Sequence, residues 1–190
     1  MYHFLRRSKK ILVEINKNGD FFMRKLTLFT IFFLLSPLLI YAAEKGKPVF
    51  DGRSWKLGWS LSEEGSVSEE YCLKGESIES WSELVTLQFF SGIQKNTNPE
   101  AFETTMHASL FSVCPSLKWE SLYQAADDRI WKWSIKGCPG QPDQSEIARL
   151  KSTDEGFHVW HYAIKKSSIP QDKEEMWLEN LKSFTVVKGE

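Results

Sequence analysis

Two segments of this chain are apolar on both of their alternating residue sets, and this narrows the layer architectures open to it. In residues 83–90, Leu84 and Phe90 share one set while Val85, Leu87 and Phe89 share the other. In residues 156–165, Phe157, Val159 and Ala163 oppose Trp160, Tyr162 and Ile164. Successive side chains of a strand point to opposite faces, so apolar residues on both sets imply strands covered twice. A sheet holding such strands needs a layer on each side.

Two amphipathic segments can supply those layers. Asn98-Pro99-Glu100 has the form of a helix start, with a capping side chain, a proline at the first helical position and an early acidic residue. Phe102, Met106, Leu110 and Val113 then recur at helical spacing until Pro115 stops the helix. Pro170 opens a second helix, whose stripe of Met176, Trp177, Leu178 and Leu181 runs among Lys173, Glu174, Glu175 and Lys182. The stretch 184–187 is expected to tuck against the sheet.

The remaining segments read as strands. Trp55, Leu57, Trp59 and Leu61 alternate with Lys56, Gly58 and Ser60, the pattern of a strand with one buried face. A polar turn over 62–66 joins it to a strand at 67–73, predicting a β-hairpin. Ser77 is placed to cap a single helical turn carrying Ile78 and Trp81 inward. Further strands are expected at 119–124, 129–136, 146–150 and 156–165, forming an antiparallel meander. In the second of these, Trp131, Trp133 and Ile135 alternate with Lys132, Ser134 and Lys136, as in a one-sided or edge strand. The expected fold is α+β: an antiparallel sheet of about six or seven strands flanked by two main helices, an α/β/α-type sandwich.

The N-terminal part has a different character. Arg24 and Lys25 precede an uncharged run that passes Pro37 and ends in Ala42-Ala43 before Glu44 and Lys45. A basic region, an apolar region and small residues in that order mark a secretory signal peptide over 23–43, with cleavage after Ala42 or Ala43. The alternative is an uncleaved anchor, since the run approaches the ~18 residues of a membrane-spanning candidate. Residues 1–22 carry scattered charges, and Gly19-Asp20 can be encoded by a purine-rich GGA-GAU just ahead of Met23. The expectation is that translation starts at Met23 and that 1–22 is an upstream extension. Residues 44–53 are expected to be a flexible leader, and 54–190 a single domain.

From Glu44 onward, 17 Lys and Arg stand against 23 Asp and Glu, a net charge of −6. An acidic surface argues against nucleic acid, whose binding rests on cations neutralising phosphates. All three cysteines, Cys72, Cys114 and Cys138, lie beyond the signal. Cys114 ends a predicted helix and Cys138 a predicted strand, so a Cys114–Cys138 disulfide is expected in an oxidising compartment. Cys72 is left as a buried small hydrophobe.

Tests for specific chemistry return little. There is no Gly-x-Ser-x-Gly elbow, no phosphate-binding or dinucleotide glycine pattern and no zinc spacing. His158 and His161 differ by three on a predicted strand, so they point to opposite faces and cannot chelate one ion with His107. Asp127-Asp128 and Glu174-Glu175 are neighbours in sequence, not carboxyls facing each other across a sugar. No catalytic, cofactor-binding or metal residue is assigned. All eight tryptophans lie beyond Glu44, and core packing is the first account of them. A ligand platform is placed on Trp131 and Trp133, two rings side by side on one strand face, against the alternative that both lie under the closing helix.

The order of an opening hairpin, a mid-chain helix, a meander and a closing helix ending in Leu181-Lys182-Ser183-Phe184 is similar to the Mog1/PsbP-like sandwich, which includes DcrB-like exported bacterial proteins. The segment 74–85 and the Cys114-Pro115 and Gly137-Cys138-Pro139 phrases also resemble small exported proteins of Gram-negative bacteria. That resemblance implies a periplasmic or secreted, non-catalytic protein that binds an unknown protein or small molecule of the envelope. The second expectation is a small exported hydrolase acting on glycans or esters.

Overall fold

Residues 50–184 are described in a computed structural model of the chain. β1 (Trp55–Glu63) and β2 (Ser66–Leu73) form the opening hairpin, and β3 (Glu83–Ser91) pairs with β2. After α1 (Pro99–Val113), the chain returns as β4 (Lys118–Gln124), β5 (Asp128–Ile135), β6 (Gln144–Ser152) and β7 (Gly156–Ile164), and closes with α2 (Gln171–Ser183). The strands make one seven-stranded sheet in the order β1-β2-β3-β7-β6-β5-β4, with every pairing antiparallel. Two meanders therefore meet at β3 and β7 in the centre. The link between them runs through α1, which carries the chain from β3 to the far edge.

The two doubly apolar segments are the two central strands, and the two helices lie on opposite faces of them. On one face Val85, Tyr162, Ile147 and Ile130 pack with Trp177 and Leu181 of α2. Trp177 stacks on Tyr162 with centroids 4.2 Å apart and planes 9° from parallel, and Trp55 meets it edge-on. On the other face Phe102 of α1 lies edge-on to Phe157 and beside Phe90. Trp177 and Leu181 are fully buried; burying each large apolar side chain contributes roughly 1.5–3 kcal/mol.

Local chemistry sets the element ends. Asn98 caps α1, its Oδ1 accepting the Ala101 N–H at 2.9 Å, with Pro99 at the first position. The last turn of α2 is capped from the sheet: Arg149 Nη1 donates to the carbonyls of Leu181, Lys182 and Phe184, while Nε and Nη2 hold Asp128. This supplies donors to carbonyls that lack an intrahelical partner. The Arg149 guanidinium also lies 5.4 Å from the Trp160 ring centre, and Phe184 closes on the same ring.

Several expectations change in detail. The alternation in β1 does not bury one face, because the register shifts between Leu57 and Trp59. Trp55 and Leu57 pair with Leu73 and Tyr71 on the α2 face, whereas Trp59 and Leu61 pair with Glu70 and Ser68 on the α1 face. Leu57 stays exposed. β4, at the other edge, has a similar shift between Ser121 and Tyr123; bulges on edge strands hinder pairing with a second chain. At Ser77 the chain makes no regular helix but a single bend closed by the Ser80 N–H on the Ser77 carbonyl at 3.1 Å, and Ile78 and Trp81 are buried as expected. β5 lies inside the sheet, between β6 and β4, and is not an edge.

The expected flexible leader is also corrected for residues 50–53. Asp51 and Arg53 join a carboxylate network, and Phe50 packs against Trp55 and Tyr71. Residues 44–49, the signal segment, the upstream extension and 185–190 lie outside the described residues.

The disulfide between Cys114 and Cys138 is present, with Cα atoms 5.5 Å apart, and it ties the end of α1 to the β5–β6 connection. Cys72 is a free, fully buried thiol. Its Sγ lies 3.2 Å from where a Cβ on Gly58 would stand, with Ile78 nearer still, so any side chain at position 58 would displace this packing.

Candidate binding site

The register of the strands assembles a polar island on the face that α1 shares. Glu70 of β2 is paired with Thr86 of β3, and Thr86 with His161 of β7. One row along, Ser68 is paired with Gln88, and on the other side Glu146 of β6 is paired with Ala163. Paired residues of antiparallel strands project to the same face, so these six polar side chains stand together across four adjacent strands. Glu70, Thr86, His161, Glu146 and Ser68 are all at most 5 % exposed.

Part of the island is internally satisfied. His161 Nδ1 lies 2.8 Å from Glu146 Oε1, which also accepts the Trp133 indole N–H at 3.0 Å. His161 Nε2 lies 3.1 Å from Gln88 Oε1, and the Gln88 amide donates onward to Ser68 Oγ at 3.3 Å. The imidazole is thus held from both sides and its ring orientation is fixed.

Thr86 is not satisfied in this way: its Oγ1 is buried without a hydrogen-bond partner among the described residues. Burial pushes the Glu70 carboxyl above the usual carboxylate range, against the pull of nearby positive charges, His161 the lesser among them. A buried polar group without a partner costs about 1–3 kcal/mol, and a charged one more. Thr86 Oγ1, beside Glu70 and His161 at the middle of the sheet, is thus a polar atom whose bonding the described residues leave incomplete.

A second polar cluster, on the α2 face, has the opposite character. Glu83 accepts from Tyr162 Oη at 2.6 Å, from Arg53 Nη1 at 3.0 Å and Nη2 at 2.6 Å, and from Lys173 Nζ. Burial alone would raise its pKa, but these donors outweigh it and bring the carboxyl down to about 2. Burial and the bond to Glu83 together push the Tyr162 hydroxyl up. Every group here has a partner, and the cluster joins the segment before β1, the centre of the sheet and α2. Its role is structural. Glu103 does the same under α1, accepting from Trp119, Ser121 and Arg129.

Trp131 and Trp133, the expected platform, do share one face, but that face is in the core. Trp131 is fully buried and stacks on Trp119 at 5.9 Å and 13°. Trp133 is 5 % exposed and turns its indole N–H to Glu146. They lie on the α1 face, not under the closing helix: Arg129, two residues from Trp131 on the same strand, reaches Glu103 of α1. The two rings offer no open platform, and Trp133 enters the site only as a brace for Glu146.

The other candidates separate as their spacing implied. His158 is on the α2 face, stacked on Trp160 and close to Phe89, while His161 is on the α1 face. His107 sits on α1 beside Trp119 and Phe111. Asp127 pairs with Lys151, Asp128 with Arg149, and Glu174 with Lys132. No group of three or more His, Cys, Asp or Glu side chains able to hold a metal ion occurs among the described residues. No helix among them is long and apolar enough to cross a membrane.

Apolar periodicity does not reveal the island. Its signal is the converse one: Ser68 and Glu70 stand two apart in β2, and Thr86 and Gln88 two apart in β3. Polar pairs at period two inside strands that are otherwise buried are that signal. No family model, curated protein or solved structure matches this chain.

Proposed function

We propose that this chain is an exported, non-catalytic binding protein, and that it recognises its ligand on the polar island around Glu70 and Thr86. The observation that carries the proposal is the buried Thr86 hydroxyl, without a hydrogen-bond partner among the described residues, in a row of buried polar side chains with Glu70 and His161. Beside them His161 is fixed by Glu146 and Gln88, so the site is pre-arranged and binding need not order it. Export to the periplasm or beyond is supported by the signal-like segment 23–43 and by the Cys114–Cys138 bond, which suits an oxidising compartment. The similarity of layout to Mog1/PsbP-like sandwiches is part of the same proposal.

The second reading, an exported hydrolase, has one observation in its favour: a carboxyl of raised pKa beside a histidine held by a second carboxylate. The spacing counts against it. Glu70 and Glu146 stand on strands three steps apart, about 14 Å between backbones, whereas the paired carboxyls of glycosidases lie roughly 5–9.5 Å apart.

The test is expression of the 190-residue chain in a Gram-negative host, followed by osmotic release and mass spectrometry of the N-terminus. A released protein beginning at Ala43 or Glu44 supports export; an unprocessed chain retained in the cytoplasm overturns it. The released protein is then assayed on aryl esters and aryl glycosides. Turnover abolished by Glu70→Gln would replace the binding reading with the hydrolase.

A further inference from the structure

We infer that the lysine-bearing end of the sheet is a docking surface for an anionic phospholipid bilayer, and that the domain meets a membrane with this end foremost. This docking requires export, as read above, and does not involve the polar island.

The connections of an antiparallel sheet fall alternately at its two ends, and here the ends differ in charge. The tight turns 64–65, 125–127 and 153–155 lie together at one end. There Ser91 N–H donates to the Gly65 carbonyl, Gly92 N–H to that of Glu155 and Ser152 N–H to that of Asp127. These turns carry Glu64, Asp127, Asp154 and Glu155, of which Asp127 is paired with Lys151. The opposite end has Lys118 opening β4, Lys136 just past β5, and Lys165 and Lys166 just past β7. Register aligns them: Lys118 is paired with Ser134, Ser134 with Ser145, and Ser145 with Ile164. All four lysines thus lie within two residues of one row, which crosses three strand spacings, about 14 Å.

These lysines are held but not neutralised. Ser116 Oγ donates to the Lys136 carbonyl at 2.9 Å, Ser145 Oγ to the Lys166 carbonyl at 2.8 Å, and the Lys165 N–H to the Ser82 carbonyl at 3.0 Å. The Cys114–Cys138 bond ties the approach to β4 to the exit from β5. None of the four ammonium groups is in an ion pair among the described residues, whereas Lys132, Lys151, Lys173 and Lys182 each are. Lys165 Nζ lies 4.5 Å from the Trp81 ring centre, and the other three side chains are exposed. Carboxylates at this end are directed to protein donors instead. Asp143 accepts the Gly137 N–H at 2.8 Å, Glu76 is bonded to Ser82 and Glu79 to Ser77. Asp172 lies in the first turn of α2, where the helix dipole favours it.

The path of the chain selects a membrane among anionic partners. Phe50 packs against Trp55 and Tyr71, so the chain enters the fold at the lysine end. The six residues 44–49 that separate it from the apolar segment 23–43 span at most about 21 Å. A domain joined to its signal segment by so short a link has this end beside the lipid surface. Lysines close to an anionic surface are each attracted to it, and the acidic turns at the far end favour the same orientation.

The experiment is vesicle co-sedimentation at low ionic strength of the released protein, purified from cells expressing the full chain. Vesicles of equal parts phosphatidylglycerol and phosphatidylcholine are compared with phosphatidylcholine alone, and a third arm uses immobilised poly-glutamate. The expected result is binding to the anionic vesicles and not to phosphatidylcholine, lost at high salt. Lys136→Gln combined with Lys166→Gln should weaken it by about tenfold or more. Lys95→Gln removes an exposed charge at the opposite end, just after β3, and should leave binding within twofold. Far-ultraviolet circular dichroism confirms that each variant folds.

Equal binding to both vesicle types would overturn the charged surface. A loss through Lys95→Gln equal, per charge removed, to that of the double variant would overturn the orientation. Binding to poly-glutamate with none to vesicles would replace the membrane with an acidic macromolecule, and no binding in any arm would overturn the docking surface altogether. Export is read separately, from the N-terminus of the released protein, so a failure there is distinguishable from a failure here.

Discussion

Glu83→Gln should remove most of the acid sensitivity that this fold owes to a single group. The Glu83 carboxyl titrates near 2 in the folded protein against an ordinary value of 4.5. Its folded-state pKa is depressed, so the stability it contributes is fully present above about pH 4.5 and is lost as pH falls through 2. A shift of that size corresponds to roughly 3 kcal/mol at pH 7. Arg53 and Lys173 are partly solvated, with side chains 36 % and 28 % exposed, so about 2–3 kcal/mol is the better expectation after screening. Linkage leaves roughly half of that at pH 3. Urea denaturation at pH 7 and pH 3, followed by tryptophan fluorescence, measures the difference. The parent should lose more stability than Glu83→Gln over that interval, by about 1–2 kcal/mol. Equal losses in the two proteins would refute the reasoning, because the depressed carboxyl would then not be the source of the sensitivity.

Other substitutions test other links. Glu70→Gln should stabilise the protein at pH 7, because burial disfavours the charged carboxyl and a neutral amide replaces it. The gain should vanish toward pH 4, since a raised pKa makes the parent's deficit appear only as pH rises through it, and urea curves at the two pH values would show this. Replacing Cys114 and Cys138 together by serine should cost about 3 kcal/mol by the loop-entropy account for a sequence separation of 24, read as a lower urea midpoint that no longer responds to reductant. Arg149→Met should cost about 2–4 kcal/mol by removing the donor to Asp128, to the α2 carbonyls of Leu181 and Lys182 and to the carbonyl of Phe184 just beyond them; hydrogen exchange should localise the loss to the last turn of α2. Gly156→Ala should be severely destabilising in a thermal melt, since its Cβ would stand 2.1 Å from the Phe90 carbonyl oxygen.

Much of the architecture was legible because it depends on period alone. The doubly apolar patterns of 83–90 and 156–165 placed β3 and β7 at the centre of a covered sheet, and Asn98-Pro99 located the start of α1. The Cys114–Cys138 bond followed from two element ends that had to meet somewhere. Failures arose where one residue breaks the period: at Gly58 the register shift sends Trp59 and Leu61 to the other face from Trp55 and Leu57, which no count of alternation detects. Residues 50–53 read as a leader because they are polar, yet Asp51 and Arg53 have partners 30 residues and more away or across the turn.

The candidate site was illegible for a different reason. Glu70, Thr86, His161 and Glu146 come from four strands spread along the chain, and only the pairing register brings them together. Trp131 and Trp133 drew attention because large rings are conspicuous, but their neighbours Trp119 and Glu146 fix them in the core. A buried hydroxyl with no partner, Thr86 Oγ1, is a more informative sign than an aromatic pair, and it becomes visible only once hydrogen bonds can be counted.

The most direct test of the central claim is a high-resolution crystal structure of the protein exported and purified from its host. The account predicts a bound molecule within hydrogen-bond distance of Thr86 Oγ1, with His161 still held by Glu146 and Gln88. Thr86 bonded only to groups of the protein itself, with no ligand at the island, would contradict it.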